Sequence, residues 1–248
     1  MAGADFNRRA PSPRSAVLRA LFSPALISFV AGGAFAAWGY LAAGKTLGAL
    51  FAGAGAITLI APGIIVCARS EGECFRGFVS ALAGIGTVWS ISLSGSVRIL
   101  EWLDCIIVLS TLGLAVCGLS IALLNLRINR SLAYAITIVL GLLWLTWPIW
   151  TATWLRGVDK QAFVDKLISV HPLFVINAAV ARSLPVPWTQ FRIAYTIMSV
   201  GQDTPFALPK NLAGCAWLHI LVGLALAAAT GLLKHALSRR DVDASPVS

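Results

Sequence analysis

Six stretches of this chain run without a single Asp, Glu, Lys or Arg, and they decide what it can fold into: Phe22–Ala43, Thr46–Cys67, Gly77–Gly95, Cys105–Leu126, Leu132–Trp154 and Leu212–Leu233. A run of roughly 18 or more apolar residues is long enough to cross the hydrocarbon core of a bilayer as a helix. Lipid offers no hydrogen bonds, so a crossing segment must satisfy its own backbone, and a helix does so. A membrane β-barrel would instead show strands of about ten residues with alternating polarity, and that alternation is absent. Of the 248 residues 58% are hydrophobic and 12% charged, against roughly a quarter charged in a soluble domain. The expected fold class is therefore all-α: a polytopic transmembrane helical bundle of about six spans.

The charged residues lie between the runs. Residues 1–20 form a basic tail with Arg8, Arg9, Arg14 and Arg19, and Pro11 and Pro13 discourage an early helix. Residues 21–155 hold spans one to five, 156–211 an extracytoplasmic segment, 212–233 span six, and 234–248 a second tail expected to end in a disordered polar segment. Ala34-Phe35-Ala36 resembles a signal-peptide cleavage site, but the first apolar run is longer than a usual signal core and reads as a retained helix. With the N-terminus inside, the inner face collects the basic tails together with Arg69, Arg76, Arg127 and Arg130, while the short outer loops hold only Lys45 and Arg98. The Lys/Arg bias thus places both termini in the cytoplasm. The net charge of +9 serves topology and anionic lipid rather than nucleic acid, because no soluble domain gathers it into one basic face.

The connection between spans five and six is too long for a turn and too apolar for a linker. In Asp159–Val170 the residues Phe163, Val164, Leu167 and Ile168 share one face, predicting an amphipathic helix. Pro172 opens a second short helix to about Ala181, and Pro187 a third that carries Trp188, Phe191, Tyr195 and Met198. All three are too short to span. They read as interfacial helices, or as a re-entrant cap over a central path.

An ionisable residue inside a span marks a functional site by default, which singles out His219 in the sixth span. Haem or a metal would need partner ligands, and no second histidine falls within a span, so neither cofactor nor metal is expected. Glu101 and Asp104 precede the fourth span, three residues apart, as a cation-binding mouth or as acidic groups at the positive end of a helix. Asp203, with Gln202 and Thr204, could line a polar vestibule with Arg192. Gly39 to Thr46 matches the phosphate-loop pattern G-x-x-x-x-G-K-T letter for letter. That chemistry needs a strand before the loop and a soluble helix after it, whereas here it joins two spans. Cys105 and Cys215 fall near the same membrane face, where a disulfide is an option beside buried free thiols. Trp144, Trp147, Trp150 and Trp154 crowd one end of the fifth span as packing and anchoring groups, with Pro148 among them. Gly44, Gly48 and Ala52, and Ala49 with Gly53, permit close helix contact.

No H-E-x-x-H, G-x-S-x-G or C-x-x-C-H motif occurs, so an enzyme is the less favoured reading. Six spans, inward termini and short outer helices before the last span resemble, in architecture alone, the membrane domain of export-type ABC permeases. That resemblance implies a permease-like or accessory subunit of a membrane assembly. Its partners would be the bilayer, other membrane subunits or a cytoplasmic ATPase, and its expected location the bacterial inner membrane. The alternatives are a stand-alone transporter and a redox or enzyme subunit using His219 and the outer segment. The chain should remain in the membrane pellet after an alkaline wash and leave it only with detergent. Recovery in the supernatant would overturn the fold class.

Overall fold

A computed structural model describes residues 23–42, 46–92, 97–150, 161–183 and 209–243. The helices among them are α1 Pro24–Ala42, α2 Thr46–Cys67, α3 Glu71–Ser92, α4 Ile99–Asn125, α5 Arg130–Trp150, α6 Gln161–Val170, α7 Pro172–Ala181 and α8 Ala213–Asp243. No strand occurs among the described residues. Six of the helices (α1 to α5 and α8) are long and apolar enough to cross a membrane. Their outward side chains are apolar too: Leu41 is 79% exposed, Leu232 72% and Leu224 65%. Water would penalise this surface, and lipid does not.

The ends of the helices follow from local chemistry. Ser23 caps α1, its hydroxyl accepting from the Leu26 N–H at 3.2 Å, and Pro24 fills the first helical position. The third span starts at Glu71, six residues before the expected Gly77, and its described helix runs to Ser92; the expected end at Gly95 lies outside the described residues. The reason is a cap at Ser70: its hydroxyl accepts from the Glu73 N–H at 3.2 Å, and the Glu73 carboxylate accepts from the Arg69 N–H at 2.9 Å. Glu71, Glu73 and Arg76 thus belong to the helix, not to a loop. The fourth span likewise starts earlier than Cys105, taking Glu101 into its first turn. The last helix runs to Asp243, well past Leu233. At 1.5 Å per residue it is about 46 Å long, against roughly 30 Å of hydrocarbon, so the inner part of the expected tail, Lys234–Asp243, is a continuation of α8.

Turns between neighbours are short. α4 ends with the Arg127 N–H donating to Leu124 O at 3.0 Å and the Ile128 N–H to Leu123 O at 3.1 Å, a Schellman turn. Asn129 then caps α5, its side-chain oxygen accepting from the Ser131 N–H at 2.9 Å.

Small residues set the packing. α1 lies chiefly against α2 and α3, and α8 against α4. A β-carbon added to Gly84 of α3 would come under 3.0 Å from the backbone of Phe29 in α1, and one added to Gly118 of α4 would strike the backbone of Gly223 in α8. The two crossings are backbone against backbone. Gly39 serves α1 and α2 in the same way, against Gly48 and Ala52. The phosphate-loop pattern therefore begins inside a helix whose glycine is a packing contact.

The stretch after α5 does not simply lie outside the bundle. α7 has the expected bounds and α6 the expected end, its expected start at Asp159 lying outside the described residues, and the two meet at His171 with a bend of 82°. Eight of the ten residues of α7 are buried, packed on α4 and, less extensively, on α2. Val164 and Ile168 of α6, with Leu167 partly buried beside them, face Trp147 and Phe174. Phe163, expected on that face, is half exposed. The third helix, from Pro187, lies outside the described residues.

Replacing Gly84 by Leu should lower stability in detergent by about 1–3 kcal/mol, measured by thermal unfolding. Gly72→Ala, at a site with open space around it, should leave stability unchanged or raise it by up to about 1 kcal/mol.

Candidate functional site

The site is built where α5, α7 and α8 meet, and its origin is a proline. Residue 148 has no N–H, so the carbonyl four residues earlier, on Trp144, loses its helical donor. His171, at the break between α6 and α7, lies with its Nε2 3.1 Å from that carbonyl. A carbonyl only accepts, so Nε2 carries the proton and donates. The His171 ring is fully buried. It sits among Trp144, Trp147 and Phe174, with ring centroids 5.7, 5.6 and 5.3 Å away. Its Nδ1 has no hydrogen-bond partner among the described residues.

The side chain of Trp144 reaches the other way. Its indole N–H donates to Nε2 of His219 at 3.1 Å, and Nδ1 of His219 lies 2.7 Å from the carbonyl of Cys215, one turn earlier in α8. An indole can only donate and a carbonyl can only accept. These two bonds fix His219 as the neutral tautomer with its proton on Nδ1. Both ring nitrogens are committed, so a metal or haem iron approaching Nε2 would first have to displace the indole. The line from Pro148 through His171, Trp144 and His219 to Cys215 thus ties three helices together with hydrogen bonds.

Beside this line runs a crevice of about 380 Å³. α4 forms its floor with Leu112, Ala115, Val116 and Leu119, and α5 and α8 form its walls, with Leu140 on one and Leu218, Val222 and Leu226 on the other. Trp144 and His219 border it, and the lining is otherwise hydrocarbon. α8 and α5 both lean on α4, and the gap between them is the crevice.

The other sequence candidates fall elsewhere. Glu101 and Asp104 sit at the far end of α7, about 16 Å from His171 at 1.5 Å per residue. Glu101 is buried and paired with Arg98, whose Nε donates to it at 2.9 Å. Asp104 accepts from Arg182 at 2.6 Å, and Ser183 accepts from the Arg98 N–H at 3.2 Å. Asp104 with Arg182 therefore ties the C-terminal end of α7 to α4, helped by the Arg98 N–H to Ser183, while the Arg98–Glu101 pair lies within the start of α4 itself. Arg192 and Asp203 lie outside the described residues. His219 and the acidic pair form two separate polar sites, one at each end of α7. Cys105 and Cys215 are free thiols, both buried. Cys105 lies 3.9 Å from Ile176 O and Cys215 3.5 Å from His219 Nδ1.

The expectation that residues 156–211 lie outside the spans leaves His171 in the outer segment and misses its connection to His219 through Trp144. The signal was present: a proline four residues after Trp144 announces an orphan carbonyl, and His171-Pro172 announces a helix break. Comparison with known proteins returns no matching family model, no matching curated protein and no matching solved structure, so the geometry carries the functional argument.

His171→Ala should destabilise the protein by about 1–3 kcal/mol through the lost bond to a buried carbonyl. Pro148→Ala returns an N–H to that carbonyl. In a double-mutant cycle the two changes should couple by at least about 0.5 kcal/mol, the loss at residue 171 being smaller when residue 148 is alanine. Strict additivity would show that the histidine does not serve that carbonyl.

Proposed function

We propose that the protein is a permease-like subunit of a membrane assembly, and that it admits an apolar or amphipathic compound from the bilayer into the crevice between α5 and α8. The observation that carries this reading is the crevice itself: hydrocarbon walls bordered by the Trp144–His219 pair. A ligand pocket of this kind is mostly apolar with few placed polar groups. The buried hydroxyls nearby do not offer a hydrated path for ions. Thr58, Thr111, Ser120 and Thr137 each donate to a carbonyl three or four residues back in their own helix.

The α6–α7 pair is the movable part of this proposal. Besides the packing of α7 on α4, it has one polar attachment at each end, the His171 bond and the Arg182–Asp104 pair. Broken helices of this type gate membrane sites elsewhere because their ends offer polar groups at depth. In this reading both termini face the cytoplasm of a bacterial cell. The energy for directional movement comes from a partner such as a cytoplasmic ATPase, and Arg192 and Asp203 belong to the outer vestibule.

The test is photolabelling of the protein in proteoliposomes with a lipid-soluble diazirine probe, followed by peptide mapping. Label should concentrate on the lining residues of α5 and α8. Val222→Trp, which fills the crevice from its open side, should reduce that label severalfold while leaving thermal stability unchanged. Label spread evenly over all lipid-facing helices, and unaffected by the tryptophan, would sink the proposal.

A further inference from the structure

At the opposite end of α8 from the histidine site, a second cleft of about 300 Å³ lies between the end of α4 and α8. It is lined by Asn125, Leu126, Arg127, Leu233, Lys234 and Leu237. Asn125 donates to Thr230 at 3.4 Å, joining the two helices beside the cleft. The three leucines are each about half exposed, as side chains facing acyl tails would be.

Two features set this cleft apart. Arg127 occupies the left-handed position of the Schellman turn, with φ of 59°, the one non-glycine residue among those described with positive φ. Glycine is the usual occupant, and any side chain there costs backbone energy. An arginine that keeps this conformation points to a use for its charge. The second feature is the absence of acid. At the other end of the bundle Arg98 and Arg182 each have a carboxylate. Arg127 and Lys234 have no ion pair among the described residues. The sequence holds no Asp or Glu between Asp104 and Asp159, nor between Asp203 and Asp241. Asp241, seven residues beyond Lys234, is about 10 Å further along the helix.

We propose that this cleft binds the phosphate of an anionic phospholipid, with Arg127 and Lys234 as its cationic walls and Leu126, Leu233 and Leu237 against the acyl chains. Paired basic side chains between spans, next to an apolar surface, suit a lipid phosphodiester. Arginine adds a planar fork of donors that matches phosphate oxygens. The inference is independent of the cargo crevice, which lies further along α8 towards its N-terminus and holds no charged residue.

The test compares phosphatidylglycerol, phosphatidylcholine of the same acyl chains, and inorganic phosphate, each added to the detergent-purified full chain. Thermal unfolding and native mass spectrometry are the readouts. Phosphatidylglycerol should raise the unfolding temperature by several degrees and stay bound in the mass spectrum, and phosphatidylcholine should do neither. Arg127→Gln and Lys234→Gln should each weaken retention by about fivefold. Arg127→Gly keeps the turn and removes the side chain with its charge, so it should fold at least as well as the parent and still lose the preference. Equal protection by both lipids, or an undiminished preference in Arg127→Gly, would overturn the proposal. Protection by inorganic phosphate alone, matching that by phosphatidylglycerol, would make this a site for free phosphate and overturn the lipid assignment.

Discussion

In a hydrocarbon solvent each backbone carbonyl must find its donor inside the protein, and the carbonyl of Trp144 is one that its own helix cannot serve. Pro148 removes the donor, and the imidazole of His171 replaces it. For that replacement the chain after α5 has to come back into the bundle, which explains the burial of α7 and its sharp break from α6. The break itself uses ordinary chemistry: Pro172 cannot donate either, so it takes the first position of a new helix, where no donor is needed. A defect in one helix and the start of another thus satisfy each other across 27 residues.

The bundle makes room for this arrangement with small residues elsewhere. α4 approaches α8 at Gly118 and Gly223 so closely that their backbones touch. α5 is not drawn in to the same degree, because Trp144 and Trp147 stand between it and α7. Close packing on one side of α4 and bulky aromatics on the other leave the crevice between α5 and α8. The same residues that seat α7 therefore also shape the cavity, so a change in the position of α7 would be felt at Trp144, and through its indole at His219.

Much of this fold is legible in the sequence, because uncharged runs and capping residues are local signals. All six spans occur as helices where the runs predict them, and α6 and α7 fall within two residues of their expected bounds. Starts at Glu71 and Ile99 were less legible, since charged first turns such as Glu71-Gly72-Glu73 look like loop when judged by hydropathy alone. In fact Ser70 followed by Glu73 is a capping pair, and an acidic first turn suits the positive helix end. The site was legible only in part. His219 stands out as an ionisable group in a span, and Glu101 with Asp104 stand out as acids at a helix start. The Arg98–Glu101 pair is local, three residues apart, but that Arg182 neutralises Asp104, and that His171 joins His219 through Trp144, depends on how the helices pack. Those contacts lie 75 and 78 residues apart along the chain, beyond the reach of any periodicity.

The two ends of the bundle handle charge in opposite ways, and this follows from what lies nearby. Around α7 both arginines stay well exposed, and each finds a carboxylate, Arg98 that of Glu101 and Arg182 that of Asp104. The Arg182–Asp104 pair joins the C-terminal end of α7 to α4. At the α4–α5 turn the basic groups stay exposed, and no acid in the neighbouring sequence competes for them. A left-handed arginine is tolerable there because its cost is local to one turn. The ion pairs therefore stand beside α7, whereas the unpaired cations stand at the α4–α8 cleft.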